Sequence, residues 1–249
     1  METIKLIVCN SGSNGNTYLL NSDTDCVVLD CGVNFKTVMK MLDFNIKKIR
    51  FAVCSHVHAD HMKYVKDYLD KGFKVLMPQQ VKEYFNNNSL AIAVEPMKKI
   101  SICGFNIIPF EVPHDEDVTC FAYIIEHKSF GKLLYMTDCM YCKYNLNKLK
   151  INHFLCECNY IKELANENYE KGLKDRVLKT HMELETVKEF IKANASNSLQ
   201  NVILCHLSTE NADAERMVSE IQKVVPQANV CVARAGLEVE LRNMDECPF

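Results

Sequence analysis

The run Cys54-Ser55-His56-Val57-His58-Ala59-Asp60-His61 constrains this chain more than any other stretch, because it places four metal-binding side chains within six residues. The pattern is H-x-H-x-D-H. His56 and His58 are two apart, so an extended segment points both to one side, and the turn carrying Asp60 and His61 brings a second pair back to the same place. Two imidazoles for one ion and a carboxylate with an imidazole for another suit zinc, and iron or manganese with less preference. A polar loop that is rich in histidine by accident is the alternative. Against it stand an apolar, strand-like run over residues 49–54 leading in and a helical pattern following.

With 249 residues and 48% hydrophobic content the chain can bury one large core, and no glycine-, proline- or serine-rich linker divides it. Strand-like and helical patterns alternate, which predicts an α/β fold. Strands are expected over residues 1–8, 17–20, 26–30, 100–112, 119–126, 130–136, 154–157, 202–205, 230–233 and 237–241. Helices are expected after Asn34, over 60–71, from Pro78 through Phe85, over 183–193 and over 212–225. The N-terminus lacks the basic segment, apolar core and cleavage site of a signal peptide, and no run reaches the roughly 18 apolar residues of a membrane span. The cysteines, 13 in number, mostly sit inside apolar strands and read as reduced thiols in a cytoplasmic protein. A net charge of −3 gives no global attraction to nucleic acid. Basic groups remain at Lys47, Lys48 and Arg50, at Lys143, Lys148 and Lys150, and at Lys171, Lys174, Arg176 and Lys179, either as solvated surface or as a strip for a duplex.

The H-x-H-x-D-H run resembles the signature of the metallo-β-lactamase fold superfamily of binuclear metal hydrolases. In that superfamily a third histidine, a bridging aspartate and a last histidine follow, each just past a strand. His114 follows the apolar stretch 105–113, Asp138 follows 132–137, and His206 follows 201–205. Five of the eight histidines fall on positions the resemblance requires, so it extends over the whole chain. The opening Cys9-Asn10-Ser11-Gly12-Ser13-Asn14-Gly15-Asn16, Val112-Pro113-His114-Asp115, Thr137-Asp138, Glu157-x-Asn159-Tyr160 and His206-Leu207-Ser208-Thr209-Glu210-Asn211 look like the YycJ/WalJ-like subfamily, described as nucleases acting on DNA ends.

The resemblance implies a four-layer αββα sandwich made of two similar halves, as one domain over residues 1–249. It implies two divalent ions, with His56, His58 and His114 on one, Asp60, His61 and His206 on the other, and Asp138 bridging both. Zinc is preferred, with manganese or iron as alternatives. Two such ions acidify a water and clamp a phosphoryl oxygen, so hydrolysis is the natural reaction class, with Asp60 also able to orient the nucleophile. The spacing from Asp138 to His181 leaves no room for the insertion of the β-CASP nucleases, and no long arm like that of the tRNA 3′ processing relatives is present.

His181 has two readings, a proton donor to the leaving oxygen or an ordinary helix-capping histidine. Ser11, Ser13 and Asn16 either line the substrate side or form a tight turn. Cys139 and Cys142 form a C-x-x-C, which reads as free thiols in the absence of a second such pair. His127 and His153 read as structural. The leading function is a phosphodiesterase of the nuclease kind acting on DNA ends, so the partners are a nucleic acid or nucleotide substrate, with no membrane and a homodimer left open. A cyclic nucleotide phosphodiesterase, a thioester or lactone hydrolase, and a non-enzymatic binding module on the same fold are the alternatives.

Overall fold

Successive residues of a strand point to opposite faces of its sheet, so an unbroken apolar run such as Cys26-Val27-Val28-Leu29 must be covered on both sides. The computed structural model, which describes residues 3–168 and 179–243, meets this demand with two sheets packed face to face and helices on the outside. The first sheet has the order β14-β1-β2-β3-β4-β5-β6, from β1 (Ile4–Asn10), β2 (Thr17–Asn21), β3 (Cys26–Leu29), β4 (Ile49–Val53), β5 (Val75–Met77), β6 (Ala91–Ala93) and the returning β14 (Glu238–Leu241). The second has the order β13-β12-β11-β10-β9-β8-β7, from β7 (Ile100–Ile102), β8 (Phe105–Val112), β9 (Cys120–His127), β10 (Gly131–Met136), β11 (His153–Glu157), β12 (Asn201–Cys205) and β13 (Asn229–Val232).

Alternate residues of one strand serve different layers. Phe121, Tyr123 and Ile125 of β9 join Leu6, Tyr18 and Phe51 between the sheets. Cys120, Ala122 and Ile124 of the same strand face outward, where they pack with α6 (Leu184–Asn194) and α7 (Ala214–Val224) through Val187, Ile191, Met217 and Ile221. The outer face of the first sheet is covered by α1 (Phe35–Met41) and α3 (Val65–Asp70) through Phe35, Val38, Tyr68 and Leu69. These are the four layers of an αββα sandwich. The two sheets also repeat one pairing pattern: three antiparallel pairs from β14 to β3 and from β7 to β10, then three parallel pairs from β3 to β6 and from β10 to β13.

Several boundaries depart from the sequence expectation. The strand expected over 100–112 is a hairpin, because Cys103 and Gly104 both take positive φ (50° and 84°) and close a two-residue turn between β7 and β8. The helix expected over 60–71 breaks into α2 (Ala59–Met62) and α3, since Tyr64 N donates to Cys31 O (2.9 Å) and ties the chain to the loop after β3. Pro78 stands just before α4 (Gln79–Lys82), and the helix tightens to a 3₁₀ turn at Glu83–Phe85. The short strands β5 and β6 and the helix α5 (Lys162–Asn168) were not anticipated. Asn34 caps α1 by accepting from Lys36 N (2.8 Å). Lys171, Lys174 and Arg176 lie outside the described residues. Among the described residues no helix is long and apolar enough to cross a membrane.

Candidate metal centre

The parallel strands deliver their carboxyl ends to one place. Asp30 follows β3, Ser55 and His56 follow β4, Asp138 follows β10, Glu157 ends β11 and His206 follows β12. Asp30, Asp138 and His206 all take positive φ (57°, 44° and 54°), a conformation uncommon outside glycine, which turns each side chain sharply off its strand.

Two ligand sets form around Asp138. The donor atoms of His56, His58, His114 and Asp138 lie within 4.8 Å of one another, and so do those of Asp60, His61, Asp138 and His206. In the first set His58 Nδ1 stands 3.1 Å from His114 Nε2, while Asp138 Oδ2 is 3.8 Å from His56 Nε2 and 3.9 Å from His114 Nε2. In the second, Asp60 Oδ2 is 3.2 Å from His61 Nε2 and 3.3 Å from His206 Nε2, and Asp138 reaches the same two nitrogens at 3.3 and 3.5 Å. All seven residues singled out in the sequence lie together, in two groups that share Asp138.

The charge pattern fits a cation. Among the described residues His56 Nε2 is buried with no hydrogen-bond partner, an orphan that a metal ion would satisfy. Burial, seconded by the neighbouring His61, pushes the His56 imidazole well below its ordinary range, and burial lowers His58 as well, so both favour the neutral donor form. Burial opposes ionisation of Asp60 and Asp138, yet His206 and His61 hold both carboxyls below their usual range. Burial likewise opposes charge on His61 and His206, but the surrounding carboxylates raise both. The cluster favours positive charge, which divalent ions would supply. Its donor set fits a binuclear metal site.

A second ring of contacts orients the imidazoles. Asp30, fully buried, accepts from His61 Nδ1 (2.5 Å), Ser55 N (2.6 Å), Ser55 Oγ (2.8 Å) and the Tyr135 hydroxyl (2.5 Å). Ser55 Oγ in turn lies 2.9 Å from His56 Nδ1. His114 Nδ1 donates to Thr180 O (2.8 Å), and His206 Nδ1 faces the Asn159 amide (3.1 Å) and Glu157 Oε1 (3.5 Å). Gly32 leaves no room for a side chain, because a Cβ there would sit 1.7 Å from Asp60 O. Sequence reasoning missed Asp30, Ser55, Thr180 and Gly32. A signal existed for Asp30, which ends an apolar strand just as Asp138 does.

His181 joins the site. With Ser13, His58, Ala59, Asp60, His114, Asp138 and His206 it lines a cavity of 320 Å³, and its ring stacks on His206 at 5.2 Å between centroids. Its Nδ1 donates to Glu157 Oε1 (2.6 Å). The buried Glu157 is held by Cys139 N (2.9 Å) and Met182 N (3.0 Å) on its other oxygen. Burial opposes charge on His181, but the Glu157 carboxylate and its hydrogen bond raise it to about 9.

The other candidates sort by contact. Asn16 does not line the substrate side: it is fully buried and donates to Asp60 Oδ2 (3.2 Å), since the loop from Gly12 to Gly15 folds over it. Ser11 Oγ accepts from His206 N (2.9 Å). Cys139 and Cys142 are free thiols outside both ligand sets, and burial raises both. His153 Nε2 donates to Phe130 O (3.1 Å), and His127 stacks on Phe105. Lys143, Lys148 and Lys150 are exposed, and Arg50 pairs with Asp25.

Fold and site together define a metallo-β-lactamase-fold hydrolase. Residues 11–128 match the family model described as the metallo-beta-lactamase superfamily. The chain is 24% identical to exodeoxyribonuclease WalJ of Streptococcus pneumoniae serotype 2 strain D39, over 98% of this chain and 94% of that protein. Among solved structures, the metallo-beta-lactamase fold protein YhfI from Bacillus subtilis superposes with a TM-score of 0.74 at 18% identity, covering 96% of this chain and 99% of that one. A diphosphatase from the PhnP family does so with a TM-score of 0.66 at 17% identity, covering 96% and 98%.

Proposed function

We propose that this hydrolase cleaves phosphodiester bonds with two divalent ions, most simply zinc, and that its substrate is the end of a DNA chain. The observation that carries the reading is the His181–Glu157 pair facing the carboxylates of Asp60 and Asp138 across one small cavity. His56, His58 and His114 would hold one ion, Asp60, His61 and His206 the other, and Asp138 both. When bound, such ions supply Lewis acidity that polarises a phosphoryl oxygen and acidifies water. Asp60, fixed by Asn16, orients the attacking water by accepting its hydrogen bond. His181, protonated through Glu157, stands ready to give its Nε2 proton to the leaving oxygen. The name of the similar WalJ protein supports a DNA end as substrate. The free cysteines support a cytoplasmic setting, and the core shared by both sheets supports one domain over 1–249.

One observation favours a small diester instead. A groove of 820 Å³ that shares His114 with the site is lined by Glu111, Asp115, Glu116 and Asp117 against Lys179, a poor surface for a polyanion. Assaying metal-loaded protein on linear DNA, RNA, cyclic mononucleotides and a thioester separates the readings. DNA shortened from its ends is the expected result; turnover of cyclic mononucleotides with intact DNA establishes the small-diester reading, and turnover of the thioester alone defeats both.

A further inference from the structure

We propose that Asp115 is a positioning residue that fixes the ring of His58, a role that rests on the metal centre inferred above. Four of the clustered histidines, His56, His61, His114 and His206, turn Nε2 toward Asp138 and have Nδ1 beside a neighbouring polar group. His58 is reversed. Its Nδ1 faces His114 Nε2 at 3.1 Å, and its Nε2 points outward to Asp115 Oδ2 at 3.8 Å. A neutral imidazole carries one N–H and one lone pair, so Nδ1 is a ligand only when the proton sits on Nε2. A carboxylate beside Nε2 selects that tautomer, either after a small side-chain turn or through one water.

Packing alone does not hold this ring. The His58 side chain is 28% exposed, against 6% for His206 and 2% for His114. Asp115, by contrast, sits on a pinned turn. Val118 N donates to Asp115 O (3.2 Å), and Gln80 clamps the turn by donating to Asp117 O (2.6 Å) and accepting from Thr119 N (2.8 Å). Met140 N donates to Pro113 O (2.8 Å) on the other side. The turn that presents His114 thus also steadies His58, so one short segment sets two of the three imidazoles in that ligand set.

The test is a calorimetric zinc titration of the metal-free full chain, for the wild type, Asp115→Ala and Asp115→Asn, with metal-free melting temperatures alongside. In Asp115→Ala one of two ions should bind about 10- to 100-fold more weakly, the other normally, with melting unchanged. Asp115→Asn keeps an acceptor oxygen and should recover part of the loss. Wild-type affinity for both ions in Asp115→Ala overturns the role, as does equal weakening of both with lowered melting, which marks a merely structural residue. A wild-type chain that binds no zinc overturns the underlying centre as well.

Discussion

Replacing Asp30 by asparagine tests whether the site is built from the buried network outward. The carboxylate accepts four hydrogen bonds from Ser55 N, Ser55 Oγ, Tyr135 and His61 with no exposure to water. Asparagine keeps one acceptor oxygen and sets an NH₂ group against donors on the other side, so about two bonds are lost and the His61 imidazole loses its charge partner. Removing one member of a buried charged pair costs about 3–5 kcal/mol, much of the stability of an ordinary domain. For a chain of this size that is a fall of about 10 °C in melting temperature. Thermal unfolding by circular dichroism with a chelator present measures this term free of metal. With zinc present, the ion served by His61 should bind about 10- to 100-fold more weakly. Tyr135→Phe, which removes one bond of the four, should lose only about 1–2 kcal/mol. If Asp30→Asn melts within a degree or so of the wild type, the network does not organise the site and the reasoning fails.

Gly32→Ala forces a Cβ to within 1.7 Å of Asp60 O, so the loop bearing Asp60 must shift, and turnover should fall about 100-fold, as measured in initial rates on a phosphodiester. Burial lowers the His153 imidazole from its ordinary 6.5 to about 4. The native state then holds fewer protons than the unfolded one, so its contribution is present above the unfolded pKa and is lost as pH falls from about 6.5 to about 4. Between about pH 8 and pH 5 urea unfolding should show the wild type losing about 2 kcal/mol more than His153→Gln, and parallel curves would refute this. Replacing Lys143, Lys148 and Lys150 together by glutamine should weaken DNA-end binding and flatten its salt dependence by at most about three in slope, while leaving cyclic mononucleotide hydrolysis alone. Unchanged DNA binding with strong cyclic mononucleotide turnover would favour the small-diester reading.

What the sequence displayed depended on how locally each feature is encoded. Four of the clustered residues stand in one phrase, and the resemblance that phrase carries pointed to His114, Asp138 and His206, each just past an apolar run, so their positions were readable without knowing which strands are neighbours. The strands were readable as long apolar runs because both faces are buried. Thr180 and Gly32 act through contacts with residues far along the chain, which no local pattern carries, whereas Asp30 ends an apolar strand as Asp138 does. The turn between β7 and β8 hid because Cys103 occupies a position where asparagine, aspartate or glycine would announce it. Strands β5 and β6 have three residues each, too few to show a period. Asn16 belonged to a phrase that suggested a surface loop, yet its amide is spent on Asp60 inside.

The central claim is that the cluster around Asp138 holds two ions in two ligand sets that share Asp138. Elemental analysis of the zinc-loaded chain, freed of loosely bound metal and counted against protein, tests it directly. The account predicts about two ions per chain for the wild type and about one for the His56→Ala, His58→Ala double variant, whose second set remains whole. A wild type carrying no stoichiometric metal, or a double variant with the same content as the wild type, would contradict it.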